Sequence, residues 1–195
     1  MRLGSHGLVV AKLQRQLAAL GYWVGVPDGV FGDSTQQAVY ALQKAANLRR
    51  DGQVGATTEA ALFRKVRPKV KSKSGYVVEV NLHTDLVMLV LNGKLLTTLN
   101  TSTGGGYTYT SQGVTSVAIT PSGRFHIERE INKPVNAPLG QLWRPKYFTG
   151  GFAIHGDSYV PPTPVSHGCV RVSNEAMNWI WSAGKIPLGT AVWVY

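Results

Sequence analysis

The run Asp28-Gly29-Val30-Phe31-Gly32-Asp33-Ser34-Thr35-Gln36-Gln37-Ala38-Val39 returns 23 residues later as Asp51-Gly52-Gln53-Val54-Gly55-Ala56-Thr57-Thr58-Glu59-Ala60-Ala61-Leu62. Each copy reads as a Gly-containing turn, an apolar anchor (Phe31, Val54), a second Gly, and hydroxyl residues able to cap a helix. Upstream, Val10, Leu13, Leu17 and Leu20 recur at i, i+3, i+7 and i+10, which lines one face of a helix that Gly21 then ends. Ala38, Val39, Leu42 and Ala45 give the helix after Asp33-Ser34-Thr35 its own inner face. A turn-helix unit used twice after a first helix predicts a small all-α three-helix bundle over residues 1–66. Such a bundle is near the lower size limit for folding alone.

The pattern changes after the densest basic cluster, Arg64-Lys65-Val66-Arg67-Pro68-Lys69-Val70-Lys71-Ser72-Lys73. Pro68, Ser72, Ser74 and Gly75 are poor helix or strand formers, so residues 67–75 read as a solvated basic linker. Beyond it the chain is strand-like. Tyr76-Val77-Val78-Glu79-Val80 is β-rich, and residues 86–96 read as a hairpin about the Asn92-Gly93 turn. Further strands are expected at 96–102, 123–129, 151–155 and 190–195. One late helix is expected, capped by Ser173, with Ala176, Met177, Ile180 and Trp181 turned inward. Residues 76–195 are therefore predicted to form a mostly-β, β-sandwich-like domain with one packed helix.

The 195 residues carry a net charge of +10, shared by the two parts. A diffuse basic surface suits an anionic polymer, but no helix-turn-helix, zinc-finger or RNA-binding signature accompanies it, so nucleic acid is not expected as a partner. No apolar run approaches the roughly 20 residues of a membrane span. The start, Met1-Arg2-Leu3-Gly4-Ser5-His6, lacks the apolar core of a signal peptide.

Cys169 is the only cysteine, set in Ser166-His167-Gly168-Cys169-Val170-Arg171, and His155-Gly156 follows the apolar run Phe152-Ala153-Ile154. A cysteine with one histidine beside it and a second brought close by a loop has what thiolate chemistry needs: a base and a donor. Gly168 lets the backbone approach a substrate carbonyl closely. The loop between them holds Pro161, Pro162 and Pro164, which stiffen it. His155, His167 and Cys169 could also supply three zinc ligands, but no fourth is evident, and no metal is expected. Asp157 in the same loop reads as a turn former.

Residues 4–63, through Asp28-Gly29-Val30-Phe31-Gly32, Thr35, Ala38-Val39, Leu13-Gln14 and Leu20-Gly21-Tyr22, resemble the peptidoglycan-binding domain type 1. That implies binding to cell-wall glycan or stem peptide, with Tyr22, Trp23 and Phe31 as candidate contacts, although core packing is the reading favoured for Phe31. Residues 76–195 resemble the L,D-transpeptidase catalytic domain through Thr120-Pro121-Ser122-Gly123-Arg124-Phe125, Gly150-Gly151-Phe152-Ala153-Ile154-His155-Gly156 and Ser166-His167-Gly168-Cys169-Val170-Arg171. The ten residues between His155 and Ser166 are few for that family.

The resemblance implies Cys169 as nucleophile and His155 as its base, with the Gly156 carbonyl orienting the ring. It implies His167 and the amides near Gly168 and Cys169 as oxyanion donors, and Ser166 as a structural hydrogen-bonder. Arg171 either holds the loop, the reading favoured here, or anchors a substrate carboxylate. Trp143 and Tyr147 either line the substrate cleft or simply pack. The implied reaction cross-links peptidoglycan through a cysteine acyl-thioester, without a cofactor and outside the membrane, in the cell wall or periplasm. Water as acceptor would make the enzyme an L,D-carboxypeptidase, and an inactive wall-binding protein is the non-enzymatic alternative. The absent signal then suggests a trimmed chain. Two separate modules further imply that residues 68–195 act alone on soluble substrate.

Overall fold

The computed structural model describes residues 1–195. Three helices come first, α1 (Leu8–Ala19), α2 (Asp33–Ala45) and α3 (Ala56–Phe63), and close on Val10, Leu13, Leu17, Phe31, Val39, Leu42, Val54 and Ala61. The repeat has a polar keystone in each copy. Gln14 Oε1 accepts from the Gly29 amide at 2.8 Å, while its Nε2 lies within 3.0 Å of Asp28 Oδ1, Val30 O and Thr35 Oγ1. Gln43 does the same with Gly52, Asp51, Gln53 and Thr58. Thr35 and Thr58 thus face inward instead of capping. The residues ahead of α2 and α3 are Gly32 and Gly55, and neither helix start has a side-chain cap.

The strands follow as β1 (Tyr76–Asn81), β2 (Leu86–Leu91), β3 (Lys94–Asn100), β4 (Thr108–Ser111), β5 (Val114–Val117), β6 (Gly123–His126), β7 (Arg129–Glu130), β8 (Val135–Ala137), β9 (Gly140–Thr149), β10 (Phe152–Asp157) and β11 (Val170–Ser173). Helix α4 (Asn174–Ser182) and strand β12 (Ala191–Val194) complete the chain. One sheet runs β3-β2-β1-β12-β6 and a second runs β11-β10-β9-β7, with β8 added to β9. Val78, Val80, Val87 and Leu89 of the first sheet meet Phe148, Ile154, Val170 and Val172 of the second, with Met177 and Ile180 of α4 closing the core. This is the expected mostly-β sandwich with one packed helix. Ser173 caps that helix as expected, its hydroxyl accepting from the Ala176 amide at 3.2 Å.

The basic linker is largely exposed but not free: Val70 and Ser72 anchor it to the first sheet. Glu79 points away from the core and accepts the amides of Lys71 and Ser72 at 2.7–3.1 Å, while Val70 packs on Met88 and Val90. The segment therefore covers part of the outer face of the first sheet, with Lys69 and Lys73 exposed and the Lys71 ammonium 3.6 Å over the Tyr195 ring. Nor are the two parts separate cores. Leu86 of β2 is buried in the cluster of the helical bundle, and Trp23 packs on Trp179 with ring centroids 5.9 Å apart. Gly21 and Trp23 exchange backbone hydrogen bonds with Thr98 at 2.7 and 3.0 Å, on the outer edge of β3.

Candidate active site

Strands β10 and β11 build the floor of the site. They pair in parallel, Ile154 beside Val170 and His155 beside Arg171. Side chains two apart on a strand share a face. Arg171 therefore shares a face with His155 and Asp157, and Cys169, in the bend just before β11, borders the same cavity as these three. The second edge of β11 is fastened by Ser102 and Arg171, which exchange N–H···O bonds of 3.2 and 3.1 Å.

His155 is buried, and its Nδ1 lies 2.8 Å from the carbonyl of Gly156. A carbonyl only accepts, so Nδ1 carries the proton and Nε2 keeps its lone pair. Burial pulls the imidazole below its ordinary range, opposed by the Gly156 carbonyl and Asp157 and reinforced by Arg171. Burial pushes the Cys169 thiol up, against lowering by the Ala153 backbone and Arg171. Both shifts favour the uncharged forms, a thiol and a free base. The thiol itself lies 3.8 Å from the carbonyl of Gly151.

The bend before the cysteine is held from inside. Ser166 Oγ donates to Cys169 O at 2.6 Å and accepts from the Gly168 amide at 3.0 Å. The Gly168 amide is thus committed to Ser166, and of the two amides expected to face an oxyanion only that of Cys169 is not bonded within the protein. Gly168 sits at φ +135°, where a Cβ would come 2.5 Å from Phe152 Cε1 and 2.8 Å from Ile119 O. No other residue fits there. Its carbonyl accepts from Thr120 Oγ1 at 2.7 Å, and the same Oγ1 accepts from the Gly104 amide at 2.9 Å.

His167 stands between Tyr107 and Tyr109, edge-on, with centroids 5.5 and 4.7 Å away, and burial and Arg171 hold its pKa low. Arg171 Nε lies 3.2 Å from Asp157 Oδ2, a charge contact not aligned as a hydrogen bond. Asp157 also accepts from the Tyr159 amide at 2.9 Å, so the expected turn former has a second, electrostatic partner. Trp143 and Tyr147 lie on β9. Trp143 Nε1 donates to Asn178 at 2.8 Å, and the Arg129 guanidinium stands 3.6 Å over the Tyr147 ring.

Cys169, His155, Asp157, Ser166, His167, Arg171, Trp143, Tyr147 and Tyr109 border one open cavity of about 860 Å³. Its walls are two hairpins, β4–β5 with Tyr109 and Val114, and β8–β9 with Ala137, Leu139 and Leu142. The short His155–Ser166 interval adds Gly156, Asp157 and Ser158 to the lining. In the bundle, by contrast, Tyr22 and Phe31 are fully buried, Phe31 in the favoured core role, so neither is presented to a ligand, while the half-buried Trp23 packs on Trp179.

Residues 75–194 match the model of the L,D-transpeptidase catalytic domain, named YkuD. The chain belongs to this family. Residues 6–62 of this L,D-transpeptidase family member match the putative peptidoglycan binding domain. Along its whole length the chain is similar to the crystal structure of an L,D-transpeptidase from Xylanimonas cellulosilytica, with 47% identity, a TM-score of 0.96, and coverage of 100% of this chain and 97% of that one. An L,D-transpeptidase from Stackebrandtia nassauensis shares the fold, at 20% identity and a TM-score of 0.55 over 100% of this chain and 94% of that one. A probable N-acetylmuramoyl-L-alanine amidase from Bacillus licheniformis is 42% identical over 66 residues. That match covers 32% of this chain and only 18% of the amidase's length.

Proposed function

We propose that this L,D-transpeptidase family member cross-links peptidoglycan stem peptides through a Cys169 acyl-thioester. The carrying observation is that His155, locked by Gly156 with its free nitrogen unprotonated, borders the same cavity as Cys169.

The steps follow from that geometry. Nε2 of His155 takes the thiol proton as sulfur attacks the carbonyl carbon next to a D-residue. Charge developing on the carbonyl oxygen is met by the Cys169 amide and by His167. The C–N bond then breaks, and His155 returns the proton to the departing D-amino acid. An amine of a second stem attacks the thioester, His155 accepts its proton, and the thiol is restored as the new amide forms. Ser166, Gly168 and Gly156 hold the backbone in place, and Arg171 holds the loop through Asp157. Trp143 and Tyr147 form part of the cleft for the stems.

The helical bundle docks on the wall and raises the local concentration of stems. The division proposed is residues 1–66 for binding, 67–75 as the connecting segment and 76–195 for catalysis. Action outside the cytoplasmic membrane follows from that substrate, and no helix of the protein is long and apolar enough to cross a membrane.

Mass spectrometry of products from a purified disaccharide-tetrapeptide, with Cys169→Ala as control, tests this. A cross-linked dimer lacking one terminal D-residue is expected from the native chain alone. Tripeptide monomer without dimer would reassign the enzyme as an L,D-carboxypeptidase, and unchanged substrate would favour a wall-binding protein without turnover.

A further inference from the structure

Helix α2 belongs to the bundle, yet it has two buried faces. Ala38, Val39, Ala41 and Leu42 pack in the bundle core, while Gln37 and Lys44, seven apart and so on one stripe, reach Asn100 of β3 and Thr101 just after it. Lys44 is the unusual member. Its side chain and that of Asp85 are 0% and 1% exposed, and its ammonium meets three acceptors: Asp85 Oδ2 at 3.1 Å, Asp85 O at 2.9 Å and Thr101 O at 2.8 Å. An ammonium has three donors, so it is fully satisfied. Burial lowers its pKa to about 8 despite the Asp85 charge. A buried ion pair is often no better for stability than apolar residues of the same volume. What this one does supply is fixed geometry.

That geometry leads to the catalytic bend by two short routes. The second carboxylate oxygen of Asp85 accepts from the Thr103 amide at 3.0 Å and its hydroxyl at 2.8 Å. The Thr103 carbonyl accepts from the Ser166 amide at 2.9 Å, and Ser166 clamps Gly168 and Cys169. On the other route, Thr101, whose carbonyl Lys44 holds, donates its hydroxyl to the Arg171 carbonyl at 2.6 Å. The bundle grips the His155–Ser166 loop as well. Gln37 donates to Val160 O and Arg50 to Pro162 O, each at 3.0 Å.

We propose that Lys44 is a positioning residue for the Cys169 segment, so that the helical bundle is part of the working site and not only its tether. The inference rests on reading Cys169 as the nucleophile. A thiolate and its base must be held to within about 1 Å of the productive geometry, since a misplacement of that size can cost roughly a hundredfold in rate. Both ends of the Ser166–Arg171 bend hang from backbone that Lys44 and Asp85 fix.

The test uses the full chain, with Lys44→Met and Thr101→Val compared with the native protein by thermal melt, iodoacetamide alkylation of Cys169 across pH, and turnover of the disaccharide-tetrapeptide. Thr101→Val removes only the hydroxyl on the Arg171 carbonyl and keeps the carbonyl that Lys44 holds. In the folded variants kcat is expected to fall about tenfold or more with KM within roughly twofold, and alkylation to slow or shift in pH. Folded variants that alkylate and turn over within twofold of the native protein would overturn the proposal, and if Lys44→Met does not fold, Thr101→Val alone decides on the same limits. If the native chain alkylates but turns over no tetrapeptide, the transpeptidase reading fails by itself and the alkylation profiles alone decide the role of Lys44.

Discussion

Ser166 Oγ donates to the carbonyl of Cys169 across 2.6 Å, within the same four-residue bend that presents the thiol. The hydroxyl also accepts the Gly168 amide, so one atom ties the peptide after the nucleophile to the peptide two before it. Ser166→Ala leaves a buried N–H and C=O unpaired, which costs about 1–3 kcal/mol each. Turnover should fall by about tenfold to a hundredfold while the protein remains folded at 25 °C. Unchanged kcat in a folded Ser166→Ala protein would mean that the bend is held by other contacts.

The pH behaviour follows from two opposite shifts. The thiol of Cys169 lies above its ordinary range, chiefly through burial, and His155 lies below its own for the same reason. The free enzyme should therefore show no thiolate plateau at neutral pH, and its alkylation rate should climb only on the alkaline side. For stability the sign is fixed by His155. Below about pH 6.5 the unfolded chain takes up a proton at this residue that the folded chain refuses, so stability is lost as pH falls toward the lowered folded value. The melting temperature of the native protein should drop more steeply between pH 7 and 5 than that of His155→Gln. Parallel curves would contradict the lowered pKa.

The sequence suggested two modules, and from that an active fragment of residues 68–195. The packing changes this expectation. Removing the bundle uncovers Leu86 and strips Trp23 from Trp179, at about 1.5–3 kcal/mol for each large apolar side chain exposed. It also releases the carbonyls of Val160 and Pro162 that Gln37 and Arg50 hold. Against a total stability of roughly 5–15 kcal/mol, the fragment should melt well below the full chain and turn over soluble muropeptide more slowly. A fragment with the melting temperature and kcat of the whole would remove the structural role of residues 1–67.

What could be read along the chain was what local chemistry repeats. The turn-helix units are visible because their glycines and threonines recur, but the partners of those units are not, since Gln14 and Gln43 lie outside the 23-residue period. The hydroxyls looked like helix caps because capping is local, whereas their bonds to the glutamines are tertiary. Strand β9, the centre of the second sheet, was hidden by Pro145 and by Arg144 at φ +52°, where its pairing with β10 is irregular. The motif residues of the site were legible, since Cys169, His155 and Gly168 sit in short characteristic runs. Asp157 and Thr120 acquire their partners only when distant segments meet. Lys44 left no signal at all, because a lysine beside an apolar stripe ordinarily reads as solvated.

The pairing of Gly21 and Trp23 with Thr98 has a further consequence for the molecule outside catalysis. β3 is the last strand of its sheet, and an uncovered last strand offers unpaired peptide groups to any neighbouring chain. By laying the turn after α1 against that strand, the protein blocks strand addition there. The same few residues that join the bundle to the sheet thus guard the protein against edge-to-edge aggregation.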